Sequence, residues 1–271
     1  MTGSESRKIV INSELGKRVA SAIVLLVIVL WACWIGGLLF LLVSTLLSAV
    51  LYYEWQAMVR VTPFDGTEAL LTSGFALVLL SNAVGLLAYG IIGFLALGLI
   101  LELASQGQER ADVRWIGLGA LYCAIPAIAF PLIRESGGLA LTLFLFVIVW
   151  VTDIAGYFVG RRFGGPKLLP TVSPKKTWSG AIGGIVGSAL LAIVIARFSP
   201  QASLTVLLVV ALVLSAVSQS GDLFESWVKR RFSVKDSSQL IPGHGGFLDR
   251  LDGLIAASVP VALVVGLQIG Q

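Results

Sequence analysis

Apolar runs follow one another along most of this chain, separated by short polar joints and two longer basic segments. The runs lie at roughly 19–34, 37–53, 69–86, 88–104, 115–133, 138–158, 180–197, 203–221 and 250–268. Each is near the ~20 residues that a helix needs to cross a bilayer. None alternates polar with apolar residues as the strands of a membrane barrel do. The pattern predicts an all-α, polytopic integral membrane protein with about nine transmembrane helices. The first two runs are joined only by "WIGG" at 34–37, the least defined boundary. Pro126 and Pro131 are expected to bend the fifth span, where neighbouring helices can satisfy the freed backbone groups.

Composition strengthens this picture. Over 271 residues, 57% are hydrophobic and 13% charged, with a mean hydropathy of +0.94; soluble domains carry about 25% charged residues. The two cysteines, Cys33 and Cys123, both lie in apolar runs, so neither a disulfide framework nor a thiolate metal site is expected. The polar N-terminal stretch is followed by no small-residue cleavage site, and an uncleaved first span is expected.

Charge placement gives an orientation. With the N-terminus cytoplasmic, all of the 19 lysines and arginines except Arg134 and Arg197 fall on the inner side, as basic loops do. Nine spans would leave the C-terminus outside. The halves differ: residues 1–136 have short loops and few polar groups, suiting a scaffold with small-residue stretches for dimer contacts. Residues 137–271 carry the long basic loops, about 161–179 and 222–249, and chemistry is expected there. A bacterial-type inner membrane with the active site facing the cytoplasm is the expected location, and nothing calls for a nucleic-acid partner.

A charged residue at membrane depth costs several kcal/mol unless it meets water or a partner. Asp153, Asp222, Asp249 and Asp252 all stand at the expected inner ends of spans. Asp249 and Asp252 are three residues apart, which places them on one helical face. Glu54 and Glu102 also stand at inner ends, but no motif surrounds them, and simple rim carboxylates are expected. Carboxylates beside lysine-rich loops suggest magnesium shared with phosphates, because magnesium takes one or two carboxylates plus substrate oxygens. A second cation beside it is compatible with this set. "PGHGG", with Gly245 and Gly246, would offer unobstructed backbone N–H groups ahead of a helix N-terminus, an arrangement that favours anions. The upstream loop "SPKKTWSG" adds Lys175 and Lys176 among hydroxyl donors.

The stretch "SWVKRRFSVKDSSQLIPGHGGFLDRLDG" from Ser226 resembles the signature of the phosphatidate cytidylyltransferases. Ser226, Lys229, Arg230, Lys235, Asp236, His244, Gly245, Gly246, Asp249, Arg250 and Asp252 all fit that pattern. "TDIAGYFVG" and "SPKKTWSGAIGG" look like the same family, so the resemblance covers about 150–253. It implies transfer of a cytidylyl group from CTP to phosphatidic acid, with magnesium, giving CDP-diacylglycerol and pyrophosphate. It also implies a homodimer.

Under that resemblance Asp249 and Asp222, then Asp252, are expected to hold the metal. Lys229, Arg230 and Lys235 would take CTP phosphates, and Lys175 and Lys176 phosphatidate or pyrophosphate. His244 would contact phosphate or nucleotide rather than act as a base; Ser226 and Arg250 join the substrate-binding set. The rival from another class is a cation-coupled transporter using rim aspartates, although transporter sites tend to lie at the bilayer midplane between repeated halves. An enzyme of CDP-linked alcohols would need an arginine that "DGLIAA" lacks. A non-catalytic lipid scaffold would leave "GHGGFLDRLD" unexplained.

Overall fold

The computed structural model of the protein describes residues 23–59, 66–83, 113–199, 201–241 and 245–269. The expected span at 88–104, Glu102 and His244 lie outside these residues. The described helices are α1 (Ile23–Ile35), α2 (Gly37–Val59), α3 (Gly66–Ala83), α4 (Val113–Ser136), α5 (Gly138–Phe163), α6 (Trp178–Phe198), α7 (Leu204–Arg231) and α8 (Leu248–Ile269). Six are long and apolar enough to cross a membrane: α2, α4 through 117–136, α5, α6, α7 and α8 through 248–268. A helix satisfies its backbone internally, so runs this apolar have no better way to sit in hydrocarbon.

Glycine sets the breaks. Gly36 and Gly37 have φ of 70° and 53°, values that cost a side-chain-bearing residue steric strain. "WIGG" therefore ends α1 and starts α2 rather than continuing one long helix. α4 runs unbroken through Pro126 and Pro131, and the Ala127 N–H donates to Ser48 Oγ of α2 at 3.0 Å.

Two expectations need correction. The segment 161–179 is not merely a loop: β1 (Lys167–Leu169) and β2 (Ser173–Thr177) pair antiparallel in it, with Lys167 opposite Thr177 and Leu169 opposite Ser173. A two-stranded ribbon is all edge, which is where Pro174 is tolerated in a strand. The eighth expected span does not end at 221 either, because α7 continues to Arg231. Its buried face runs on through Ser218, Gly221, Glu225 and Val228, a spacing of three and four that keeps one stripe inward. The helix is about 42 Å long at 1.5 Å per residue, more than the ~30 Å hydrocarbon core requires. Lys229, Arg230 and Arg231 close its last turn, complementing the negative end of the helix dipole.

The chain divides into two compact units that cross the expected boundary at 136. One comprises Met1–Ala127 with Lys235–Asp249, the other Ile128–Val234 with Arg250–Gln271. In the first, α2 carries an aromatic core: Tyr52 stacks on Phe75 of α3, Trp55 lies against Tyr122, and Trp55 Nε1 donates to Trp115 O at 2.8 Å. Gly119 makes room for the Trp55 ring, since a Cβ there would overlap it.

In the second unit, glycines let α5 and α6 pack closely, backbone against backbone at Gly156 and Gly180. A Cβ on Gly180 would lie 2.9 Å from Gly156 O, one on Gly183 2.5 Å from Val159 Cβ, and one on Gly187 2.6 Å from Ala155 Cβ. These are small-residue contacts between α5 and α6 of the kind that drive helix packing in lipid. Thr177 caps α6, its Oγ1 accepting from Gly180 N at 3.1 Å.

Candidate active site

Within the second unit the ribbon is tied to α7 at two points. Lys176 Nζ lies 2.6 Å from Asp222 Oδ2, and Arg230 Nε donates to Val172 O at 3.3 Å. The two segments that appear in sequence as separate basic loops are thus held side by side. Alternation along β2 sends Lys175 and Lys176 to opposite faces: Lys176 is half-buried against Asp222, whereas Lys175 is exposed. On α7, Asp222, Ser226 and Lys229 recur every three or four residues, one stripe of the helix. Ser226 Oγ donates to Asp222 Oδ1 at 3.4 Å. Lys229 pairs with Glu225 at 2.6 Å, the glutamate side chain being only 1% exposed.

Asp153 of α5 and Asp252 of α8 join this group. Asp153 feels the charges of Asp222 and Lys176, while Asp252 feels those of Asp222, Glu225 and Asp153. The sequence explains why the helices approach here. A Cβ at Gly221, next to Asp222, would come within 2.6 Å of Asp252 O, and one at Gly253, next to Asp252, within 3.1 Å of Ser218 O. A Cβ at Gly184 would lie 2.9 Å from Thr152 O, beside Asp153. Small residues therefore adjoin the carboxylates on several helices, and close backbone contact gathers negative charge beside two lysines.

Among the described residues no three His, Cys, Asp or Glu side chains converge as a ready-made metal cage. The donor set nevertheless suits magnesium, which uses one or two carboxylates and completes its shell with water and substrate phosphate. Asp222 and Asp252 provide such oxygens, and Lys176 and Lys229 provide counter-charge for phosphate.

The first unit holds the other part of the signature. Asp249, in the first turn of α8, accepts through Oδ2 from Ser237 N at 3.0 Å, Ser237 Oγ at 3.0 Å and Gly246 N at 2.9 Å. Metal-ligating carboxylates are commonly fixed by such bonds to one oxygen. Glu54 of α2 accepts from Phe247 N at 2.9 Å and Leu248 N at 2.7 Å. The N–H groups of Gly246, Phe247 and Leu248 are therefore occupied by the protein's own carboxylates. The expectation that the glycine-rich turn presents unobstructed N–H groups to substrate anions needs correction at Gly246. Gly245, at φ 85°, bends the chain so that Ile241 N can donate to its carbonyl at 2.9 Å. Lys235, Asp236 and Arg250 are exposed.

Sequence reasoning missed Glu225 and undervalued Glu54. The first had a signal, a glutamate four residues before Lys229 on a helix. The second had none, because its partners lie more than 180 residues away.

The cytidylyltransferase family matches residues 16–267. A phosphatidate cytidylyltransferase of Brucella suis is 44% identical over 253 residues, 91% of each chain. One from Staphylococcus saprophyticus is 33% identical over 247 residues, 88% of this chain and 94% of the relative. One from Haemophilus influenzae is 48% identical over 125 residues, 44% of this chain and 43% of the relative. The family match and the Brucella and Staphylococcus relatives cover most of the chain, apolar helices included, and this integral membrane chain belongs to the cytidylyltransferase family.

Proposed function

We propose that this protein is a CTP:phosphatidate cytidylyltransferase, making CDP-diacylglycerol and pyrophosphate for phospholipid synthesis. Its relatives bear that activity in their names. The structural observation that carries the reading is the Lys176–Asp222 pair set among Asp153, Glu225 and Asp252. Such a site can receive two polyanions, one from the membrane and one from water. Cation-coupled transport has no support: these carboxylates pair with lysines, and the relatives are named as transferases.

The phosphate of phosphatidate is a monoester with a second pKa of about 6, so it is mostly a dianion at neutral pH. One of its oxygens attacks the α-phosphorus of CTP. The bond from that phosphorus to the oxygen bridging to the β-phosphorus breaks, and pyrophosphate leaves with the electron pair. No proton has to be removed from the nucleophile, so His244 is assigned to substrate contact. Catalysis then consists of positioning and charge neutralisation.

Lys176 and Lys229 can exchange their carboxylate partners for phosphate oxygens as substrates enter. Arg230 and Lys235 add charge for CTP phosphates, and the exposed Lys175 meets the lipid phosphate or released pyrophosphate. Asp222 and Asp252 are the residues of the second unit that would hold magnesium; Asp249, of the first unit, is assigned to the metal on the resemblance alone. The ion supplies neutralisation of the triphosphate and of the developing pyrophosphate charge. Ser226 orients Asp222. Arg250, Gly245 and Gly246 are assigned to the substrate region on the resemblance.

The basic-residue asymmetry supports a cytoplasmic N-terminus and an active site on the inner face of a bacterial-type cell membrane. Homodimerisation is part of the proposal. The purified protein in detergent is expected to release pyrophosphate only when CTP, phosphatidate and magnesium are all present. Release from CTP alone, at the same rate, would contradict the reading.

A further inference from the structure

Glu54 is wholly buried within α2, a helix apolar enough to cross a membrane, and a buried acidic side chain is costly unless polar groups surround it. Its surroundings come from the signature segment of the same unit. Oε1 accepts from Ser238 Oγ at 2.5 Å and Phe247 N at 2.9 Å. Oε2 accepts from Leu248 N at 2.7 Å and lies 3.3 Å from Ser237 Oγ. Each oxygen thus meets one backbone N–H and one serine hydroxyl. The hydroxyl of Ser237 also lies 3.0 Å from Asp249 Oδ2. It has one proton for two carboxylates, so it links Glu54 to Asp249 rather than belonging to either.

Among the described residues between these contacts, the Ile241–Gly245 bridge is the only secondary structure. The two ends of the segment are held from one point, at Ser237–Ser238 and at Phe247–Leu248. The packing leaves no slack: a Cβ at Gly246 would overlap the Ser237 hydroxyl and come within 2.7 Å of Glu54 Oε2. The Phe247 and Leu248 N–H groups are also among those that a helix N-terminus leaves without intrahelical acceptors. A carboxylate there satisfies them and suits the dipole.

We propose that Glu54 is a positioning residue for cytidylyl transfer: its carboxylate clamps Ser237–Ser238 to Phe247–Leu248 and thereby fixes the adjoining signature residues Lys235 and Asp249. The inference rests on the assigned reaction only for its kinetic readout; the clamp itself is tested without it.

Glu54→Gln is the informative variant, because its amide nitrogen is a donor. A serine hydroxyl can rotate to accept from it, whereas a backbone N–H cannot, so one of the two helix N–H groups loses its acceptor. The expected result is a Michaelis constant for CTP raised about tenfold or more with that for phosphatidate unchanged. A residue needed only for folding would lower the maximal rate in proportion to folded protein and leave both constants alone.

Hydrogen exchange supplies the independent readout. Peptides covering 236–250 should exchange faster in Glu54→Gln, while peptides from α5 and α6 keep wild-type rates. Ser238→Ala, which removes the bond to Glu54 Oε1 and the acceptor for Leu240 N but leaves both helix N–H bonds to Glu54, should move both readouts the same way by less, and its effect should not add to that of Glu54→Gln. Unchanged exchange at 236–250 overturns the clamp whether or not the wild type transfers cytidylyl groups. Faster exchange across all helices, or a lower rate with both Michaelis constants and the magnesium dependence unchanged, makes Glu54 a fold residue and overturns the positioning role. If the wild type shows no transfer while 236–250 loosens selectively, the assigned reaction fails and the clamp stands.

Discussion

Asp222→Asn is expected to cut cytidylyl transfer by roughly a hundred- to a thousandfold, on the order of 3–4 kcal/mol of transition-state stabilisation. Asparagine keeps the size of the side chain and can still accept from Ser226 Oγ. It loses the charge that pairs with Lys176 and acts on Asp153 and Asp252. Stability should change little. The Lys176–Asp222 pair is a quarter to a third exposed, and such pairs contribute at most about 1 kcal/mol. Lys176→Gln is the companion variant, because it breaks the same tether between ribbon and α7 but leaves the carboxylate. If Asp222 holds magnesium, its variant should need far more of the ion, while Lys176→Gln keeps the wild-type magnesium dependence and binds phosphate more weakly. Identical magnesium curves for the two variants would reduce Asp222 to a tether.

Asp249 invites the second large effect, and here two substitutions separate two roles. Asp249→Ala removes the acceptor for Ser237 N, Ser237 Oγ and Gly246 N. Leaving such groups without a partner costs about 1–3 kcal/mol, so the alanine variant should lose both activity and protection of 236–250 from hydrogen exchange. Asp249→Asn can place its carbonyl oxygen where Oδ2 sits and keep all three donors. It should retain the protected segment yet lose roughly a hundredfold or more in turnover, because the charge that would hold magnesium has gone. An asparagine variant with wild-type turnover at limiting magnesium would leave Asp249 a segment anchor alone.

These two aspartates were legible in the sequence because polar residues in an apolar chain demand a reason. The same contrast exposed Asp153, Asp252 and the lysines of both basic segments. It failed where the reason lay in a distant partner. Glu54 looks like an ordinary rim carboxylate until the backbone of Phe247 and Leu248 is brought to it. Hydropathy also marks where a helix leaves hydrocarbon, not where it ends. α7 accordingly ran ten residues beyond its apolar stretch, carrying Asp222 to Arg231 on helix rather than loop. The ribbon at 167–177 was hidden by its prolines and by strands of three and five residues. The break at Gly36–Gly37 was visible as two adjacent glycines, though only their positive φ shows that the helix must stop there. Gathering Asp153, Asp222, Glu225 and Asp252 required the glycines on neighbouring helices, whose purpose is a contact that local sequence does not encode.

In the proposed reaction the phosphatidate phosphate attacks the α-phosphorus of CTP at this site. Its most direct measurement uses CTP labelled at the α-phosphorus, phosphatidate in mixed micelles and the purified protein with magnesium. The label is expected to move into the organic phase as CDP-diacylglycerol, matched one for one by pyrophosphate, and to stay in water with Asp222→Asn. Label remaining in the aqueous phase as CMP or CDP, with phosphatidate unconsumed, would contradict it.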